Sequence, residues 1–314
     1  MIIANPLYDV VFKYLLEDTE IARELISTIL GENVLSIELK PQETVTESSA
    51  SSVSILRFDF KAVIKTPSGE IKKVLIELQK AKQVFDVMRF RRYLGDNYRK
   101  EDDVLNEQGI SEKRPLPIIT IYFLGFHLDN IQNAIVKINR QYRDAITNEV
   151  IEIKDDFVEL LTHDSYLIQV LRLKAKTKTK LERVLQIFSS EFKTKDSHQL
   201  DFKGDVKDPL VKKMVDRLGR AIASDEMRDK MDVEDEIDRI FEREIKKVEA
   251  AKDKIIAEKD QALEARDQAL EARDQALEAK DQALEAKDQA LETERLKIED
   301  LLRQIVELQS TKKD

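Results

Sequence analysis

Residues 8–30 carry apolar side chains three and four positions apart, and this spacing predicts a helix that ends at Gly31. Further along, the pattern changes between the strand and the helix period. The predicted strands span residues 34–39, 55–66, 70–80 and 117–125, and a long helix at 85–107 precedes the last of them. That last strand, PIITIYFLG, is apolar without interruption, which is typical of a strand buried on both faces. This order of elements indicates an α/β or α+β fold.

Beyond residue 130 the pattern is less regular. Residues 130–150 fit neither period, and residues 156–220 favour helices. We therefore divide the chain into a core at 1–130, a mostly helical extension of the same globular part at 131–224, and a third segment at 225–314.

The third segment differs in composition from everything before it. Residues 1–224 contain 35 basic and 34 acidic residues, whereas residues 225–314 contain 18 and 28, so the tail holds all of the excess acid behind the net charge of −9. The last proline is Pro209 and the last glycine is Gly219. A segment without helix breakers and almost without aromatic residues cannot build a compact core, but it can form a long helix.

Residues 260–294 repeat with a period of seven, as DQALEAR or a close variant, which predicts a coiled coil. With the leucines at position d, Arg266 at g can meet Glu271 at e of a parallel partner, and Asp267 falls at the core position a. An alternative seam runs through the alanines, which are spaced three and four apart. We predict a parallel homodimer; the competing interpretation is a single solvated helix.

Composition also limits the cellular compartments and the kinds of active-site chemistry to be considered. The chain has no cysteine, which excludes disulfides, thiolate metal ligands and a cysteine nucleophile. It has no apolar stretch long enough for a membrane span, and its first residues do not resemble a signal peptide. We therefore expect a cytoplasmic protein without a membrane partner. The three histidines, His127, His163 and His198, show no spacing typical of a metal site or a catalytic triad, and we interpret them as structural.

The two strands at 55–66 and 70–80 form a predicted hairpin around the loop Pro67-Ser68-Gly69. Their apolar faces must coincide, because a slip of one residue would turn one of them to solvent. This condition pairs Phe60 with Ile76 and Ala62 with Val74. Continued towards the start of the first strand, the same register sets Asp59 opposite Glu77.

Two carboxylates directly opposite each other repel, with Cβ atoms about 5 Å apart, unless something compensates them. A divalent cation can do so, because Mg²⁺ binds one or two carboxylates together with waters and phosphate oxygens. The alternative is a solvated pair relieved by Arg57 or Lys61. The hairpin by itself does not decide between these interpretations.

Several phrases of the sequence resemble one family. Asp59 followed by Glu77-x-Gln79 on adjacent strands resembles the PD-(D/E)XK nuclease superfamily. The phrases NPLYDVVFKYLL, RFDFKAVI, KKVLIELQ and LPIITIYFLGF, with Arg89-x-x-x-Tyr93-x-x-x-x-Tyr98, are similar to PD-(D/E)XK nuclease family transposases, the recombination-promoting nucleases. The resemblance spans residues 4–130. It implies a restriction-endonuclease-like αβββαβ sandwich, here followed by a helical region and a long C-terminal coiled-coil helix.

The resemblance also implies a site. Asp59 and Glu77 would bind Mg²⁺, with Mn²⁺ as a substitute, and Gln79 would stand where the superfamily usually has lysine. An amide lacks the charge of lysine but still donates hydrogen bonds to a water or a phosphate. Lys13 matches a family position near the site, although a surface lysine on an amphipathic helix explains it equally well.

The helix after Gln79 supplies the candidate DNA contacts. Arg89, Arg92 and Tyr93 lie three and four positions apart, so we expect them to share a face that contacts phosphates, with a solvated helix face as the alternative. The leading hypothesis is a Mg²⁺-dependent DNA endonuclease that promotes recombination or transposition, dimerises through its tail and associates with the nucleoid when bound to DNA. The rival is a catalytically inactive nuclease fold that serves as a coiled-coil adaptor or a DNA-binding module.

Overall fold

The computed structural model describes residues 1–39, 60–80, 84–105 and 109–310, with the side chains of 84–87, 89, 241, 242, 245 and 305–310 outside the description. The chain forms two units, Met1–Ile237 and Asp238–Asp314. We call the first unit the body.

The described part of the chain contains seven α-helices and twelve strands, together with three short 3-10 helices. The helices are α1 (Asp9–Leu16), α2 (Thr19–Leu30), α3 (Val84–Arg99), α4 (Asp156–Leu161), α5 (Lys180–Leu185), α6 (Pro209–Ala223) and α7 (Asp225–Ser310). The strands are β1 (Ile2–Ala4), β2 (Ser36–Leu39), β3 (Phe60–Lys65), β4 (Ile71–Gln79), β5 (Asp102–Leu105), β6 (Ser111–Arg114), β7 (Ile118–Leu124), β8 (Ile135–Ile138), β9 (Tyr142–Arg143), β10 (Val150–Ile151), β11 (His163–Gln169) and β12 (Gln199–Asp201).

A six-stranded mixed sheet organises the body, in the order β2-β3-β4-β7-β11-β8. Strands β2, β3 and β4 are antiparallel neighbours, whereas β7 runs parallel to both β4 and β11. A parallel connection between β4 and β7 requires a crossover, and α3 lies in it. The predicted mixed α/β class is therefore confirmed.

One face of this sheet lies against the main hydrophobic core, with helices packed on the far side of that core. We call it the core face. On β4 the core face is formed by Val74, Ile76 and Leu78, which share one side of the strand. Phe12 of α1 contacts Phe123 of β7 with ring centroids 5.3 Å apart. Buried residues of α2 and α6 join the same core, and α6 packs against β1 and against both N-terminal helices.

The opposite face, the α3 face, is more polar. Lys73 of β4 is fully buried there, forms an ion pair with the carboxylate of Asp102 and donates a hydrogen bond to the carbonyl of Asn97 at 3.1 Å. Asp102 also accepts from Lys61 at 3.0 Å. Burial lowers the pKa of Lys73, although the carboxylate of Asp102 acts in the opposite direction. These contacts fasten the end of α3 and the start of β5 to the sheet.

Three predicted helical stretches need correction. The N-terminal pattern at 8–30 forms two helices, because Asp18 caps a new helix by accepting from the amides of Glu20 and Ile21, both at 3.1 Å. The end of that stretch at Gly31 is confirmed, with φ of 73°. The helix predicted at 85–107 ends at Arg99, since Asp102 is drawn into the sheet-side ion pair and starts β5.

The third correction concerns residues 131–224, which we expected to be mostly helical. They include β8 and β11, which complete the central sheet, as well as β9, β10 and β12. The physical reason is burial: β11 lies between β7 and β8, and in so short an apolar run the helix and strand periods cannot be told apart.

Residues from Asp238 onward belong to α7. The repeat leucines are 43% to 64% exposed, and ion pairs flank the repeat at Lys254–Glu258 and Arg295–Glu299. Across residues 260–294, all of which are described, no basic side chain lies within ion-pairing distance of a carboxylate. In the described ranges, no helix is long and apolar enough to cross a membrane.

The buried pair predicts a large stability effect. Asp102→Ala leaves the ammonium of Lys73 buried without its carboxylate, which should cost about 3–5 kcal/mol in the free energy of unfolding. The double variant Lys73→Met with Asp102→Leu should recover most of that loss. Tyrosine fluorescence during urea unfolding measures it, because the chain has seven tyrosines and no tryptophan. A cost under about 1 kcal/mol, typical of a solvent-exposed pair, would contradict the burial of this ion pair.

Candidate functional site

The carboxyl end of β4 carries two of the predicted site residues. Glu77 and Gln79 alternate with the apolar residues of the core face, so both side chains point to the α3 face. Glu77 is 1% exposed and Gln79 is 7% exposed. A carboxylate excluded from water to this extent is costly unless charged or polar groups balance it. A buried acid at the carboxyl end of a strand is therefore a candidate for chemistry.

The register of the hairpin agrees with the prediction wherever it is described. Phe60 pairs with Ile76 and Ala62 with Val74, which confirms the pairing inferred from the two apolar faces. Asp59, which this register would set opposite Glu77, lies outside the described residues. Lys61 is one of the two basic residues that could offset repulsion between Asp59 and Glu77, and its ammonium donates a hydrogen bond to Asp102.

Tyr122 is a neighbour of Glu77 that sequence reasoning did not single out. The parallel pairing of β4 with β7 sets Tyr122 beside Glu77 on the same face. Burial raises the pKa of Tyr122; a hydrogen bond with the Thr120 side chain lowers it, and the negative charge of Glu77 raises it further. Phe90 of α3 packs on the Tyr122 ring with centroids 5.4 Å apart. An aromatic wall therefore flanks the carboxylate.

The residues of α3 that are candidates for DNA contact differ in their exposure to solvent. Arg92 is exposed, whereas Tyr93 is 3% exposed and therefore packs inside the body. Tyr93 is therefore not at the surface, where a contact with a DNA phosphate would need it, whereas Arg92 is. The side chain of Arg89 lies outside the description.

Lys13 is held by its own helix. Its ammonium forms an ion pair with Asp9, one turn earlier on α1. Helix α1 packs on the core face through Phe12, whereas Glu77 points to the α3 face. The structure thus does not bring Lys13 and Glu77 to the same side of the sheet.

The side chain of Lys80 points to the opposite face of the strand from Gln79, as the alternation of side chains along a strand requires. Its ammonium lies 3.9 Å from the centre of the Tyr8 ring and forms an ion pair with Glu234. Both partners lie on the side of α1, so Lys80 turns away from Glu77 and Gln79. The backbone here is tightly packed: Gly125 donates its amide to the carbonyl of Gln79 at 2.7 Å.

The described part of the candidate site offers one carboxylate, that of Glu77, to a metal ion. Among the residues that the structure covers, no group of three or more His, Asp or Glu is placed to hold a metal ion. Mg²⁺ needs only one or two carboxylates, because waters and substrate oxygens complete its octahedron. Glu77 is one buried carboxylate with the amide of Gln79 two residues away on the same face, and the second acid that the sequence predicts, Asp59, lies outside the described residues.

No family model matches the chain, and neither a curated protein nor a solved structure does.

Two glycine-to-alanine variants test the packing at the end of β4. A Cβ at Gly125 would lie 2.5 Å from the carbonyl oxygen of Lys80, so Gly125→Ala forces the backbone to shift and should cost about 1–3 kcal/mol in the free energy of unfolding. Gly219 in α6 has open space around it, so Gly219→Ala should instead stabilise by about 0.5–1 kcal/mol. Urea unfolding followed by tyrosine fluorescence measures both. Equal effects of the two substitutions would show that β4 and β7 are less closely packed in solution.

Proposed function

We propose that this protein is a Mg²⁺-dependent DNA endonuclease related to the PD-(D/E)XK nuclease family transposases, with Mn²⁺ as a substitute metal. In this proposal Asp59 and Glu77 hold the metal, and Gln79 orients a water or the scissile phosphate. We further propose that it acts in the cytoplasm, at the nucleoid when bound to DNA, and promotes recombination or transposition.

One observation carries the proposal: the described β3–β4 register agrees with the pairing from which the sequence predicts Asp59 opposite Glu77, and Glu77 is buried. Two acids side by side at such a position are unstable without a cation. When bound there, Mg²⁺ would lower the pKa of a water and stabilise charge on the leaving oxygen.

The order of elements gives further support. Helices α1 and α2 precede three antiparallel strands, β2 to β4, and α3 and the β5–β6 hairpin then lead to β7, which is parallel to β4. Apart from the inserted hairpin, this order is consistent with the helix–three strands–helix–strand core that the family resemblance implies. It places the acidic residue at the carboxyl end of β4, directly before the helix that carries Arg92.

The side chains of this body have separate parts in the proposed reaction. Gln79 is 7% exposed, so its amide acts from a fixed position rather than as a mobile surface group, and it can donate to a phosphate oxygen. Tyr122 closes one side of the carboxylate and limits its contact with water. Arg92, exposed on α3, is available for contact with a DNA phosphate.

Plasmid nicking by the purified full-length protein tests the site. Cleavage should require Mg²⁺, stop with EDTA, and fall by about 10²–10³-fold in Asp59→Ala and in Glu77→Gln, the loss typical of removing one group that stabilises transition-state charge. Gel analysis of supercoiled, nicked and linear plasmid measures the rate.

Asp103→Asn is the matched control, because it removes a negative charge from an exposed position of the body and should leave cleavage unchanged. Equal cleavage by wild type and Asp59→Ala would show that the site is assigned wrongly. No cleavage with any divalent ion would instead favour the inactive adaptor or DNA-binding module.

We also propose that α7 forms a parallel homodimeric coiled coil through residues 260–294. Its leucines are exposed at a seven-residue period, and the repeat makes no ion pairs within its own helix. Charges that find no partner within one helix are available to a second, and in a parallel pair Arg266 can meet the partner's Glu271. A dimer would bring two active sites to one duplex, one for each strand.

Deleting residues 258–314 should convert a dimer to a monomer, as measured by light scattering coupled to size exclusion. Leu270→Lys with Leu277→Lys should do the same, because two charges would enter the seam from each helix. Gln268→Lys with Gln275→Lys adds the same charge at outer positions and should leave the dimer intact. An unchanged mass after the deletion would show that the tail does not hold two chains together.

A further inference from the structure

The first turns of α7 hold several groups of the body together. Residues Glu234 and Asp235 lie within the body and contact Tyr8, α1, Lys80 and His198. We call these two acids the clasp. Its partners come from widely separated parts of the chain, so it forms only when the body is folded.

Glu234 makes three of the clasp contacts. One carboxylate oxygen accepts from the amide of Asp9 at 3.0 Å and the other from the amide of Val10 at 3.5 Å. These amides open α1 and have no acceptor within that helix, and the positive end of the helix favours a carboxylate there. The same carboxylate forms an ion pair with Lys80. Its side chain is 16% exposed, so solvent screens these interactions only in part.

Asp235 completes the clasp through Tyr8 and His198. It accepts from the Tyr8 hydroxyl at 2.8 Å and lies 3.0 Å from Nε2 of His198. The rings of Tyr8 and His198 meet edge to face, 5.1 Å apart. Tyr8 is therefore fixed, and its ring in turn supports the ammonium of Lys80.

The clasp bears on the candidate site through Lys80, which directly follows Gln79. Gly125 restrains the backbone of Gln79 and Lys80. Its amide donates a hydrogen bond to the Gln79 carbonyl, and a side chain at Gly125 would have no room beside the Lys80 carbonyl. Glu234 restrains the Lys80 side chain and joins it to the start of α1. The end of β4 is thus held in two ways: Gly125 binds its backbone, and Glu234 binds the side chain of Lys80.

We propose that Glu234 is a positioning residue that fixes the carboxyl end of β4, and with it Glu77 and Gln79. This inference rests on the proposed nuclease function for its catalytic consequence. Glu234 points to the side of α1 and touches neither substrate nor metal. It acts through Lys80, and its removal loosens the strand end without removing a reacting group.

Two measurements on the full-length protein test the proposal in Glu234→Gln. Hydrogen exchange of the Asp9, Val10 and Gly125 amides should become about tenfold faster, because local opening costs less once the charge is lost. In the nicking assay kcat should fall by between about tenfold and a hundredfold, since small displacements of catalytic groups have effects of this size. KM should stay within about twofold, because the DNA contacts are unchanged.

Three variants serve as comparisons. Glu234→Asp keeps the charge and should recover part of kcat. Lys80→Met should lower kcat like Glu234→Gln, and the double variant should be no worse than either, because both remove the same contact. Glu249→Gln makes the same chemical change at an exposed position of α7 and should alter neither measurement.

Unchanged exchange at the three amides would overturn the proposal, and so would faster exchange with an unchanged kcat. If the wild-type protein does not cleave DNA, the proposed nuclease function fails by itself. Exchange at Gly125 then decides the position of the strand end: faster exchange in Glu234→Gln supports the role of Glu234, and unchanged exchange overturns it.

Discussion

Strand β4 is hydrogen-bonded on both sides, to β3 in an antiparallel register and to β7 in a parallel one, and the remainder of the body depends on this pairing. Because side chains alternate along a strand, the two registers decide at once which residues enter the core and which meet α3. Val74 and Ile76 fill the core, while Glu77 and Gln79 are directed to the α3 face. A shift of one residue would reverse both assignments, so packing of the core also protects the candidate site.

The α3 face uses buried charge for two purposes along the same strand. Near the start of β4, the ammonium of Lys73 is matched by Asp102, and the pair fixes the hairpin of β5 and β6 to the sheet. Near its end, Glu77 lies beside Tyr122, and the proposed function gives this carboxylate a metal to bind. The first arrangement is complete within the described chain and serves stability.

Much of the sheet could be predicted because it follows from periodicity. The two apolar faces of the hairpin allowed only one register, and PIITIYFLG had to be buried on both faces. The errors arose where a local interaction competed with the pattern. The cap at Asp18 divides one helical pattern into two helices, and the ion pair of Asp102 with Lys73 starts a strand where helical spacing continued. Tyr93 shows the same limit, since spacing alone does not tell which side of a helix meets the sheet.

The sequence by itself determined the mixed α/β class, the hairpin register, the turn at Gly31 and the helical character of the tail, because each follows from contacts between residues close in the chain. Only the tertiary structure decided that β11 lies beside β7, that Tyr122 flanks Glu77, and that the start of α7 reaches Lys80. The reason is physical: these contacts join segments more than forty residues apart, and they form when buried surfaces meet, which no local period records.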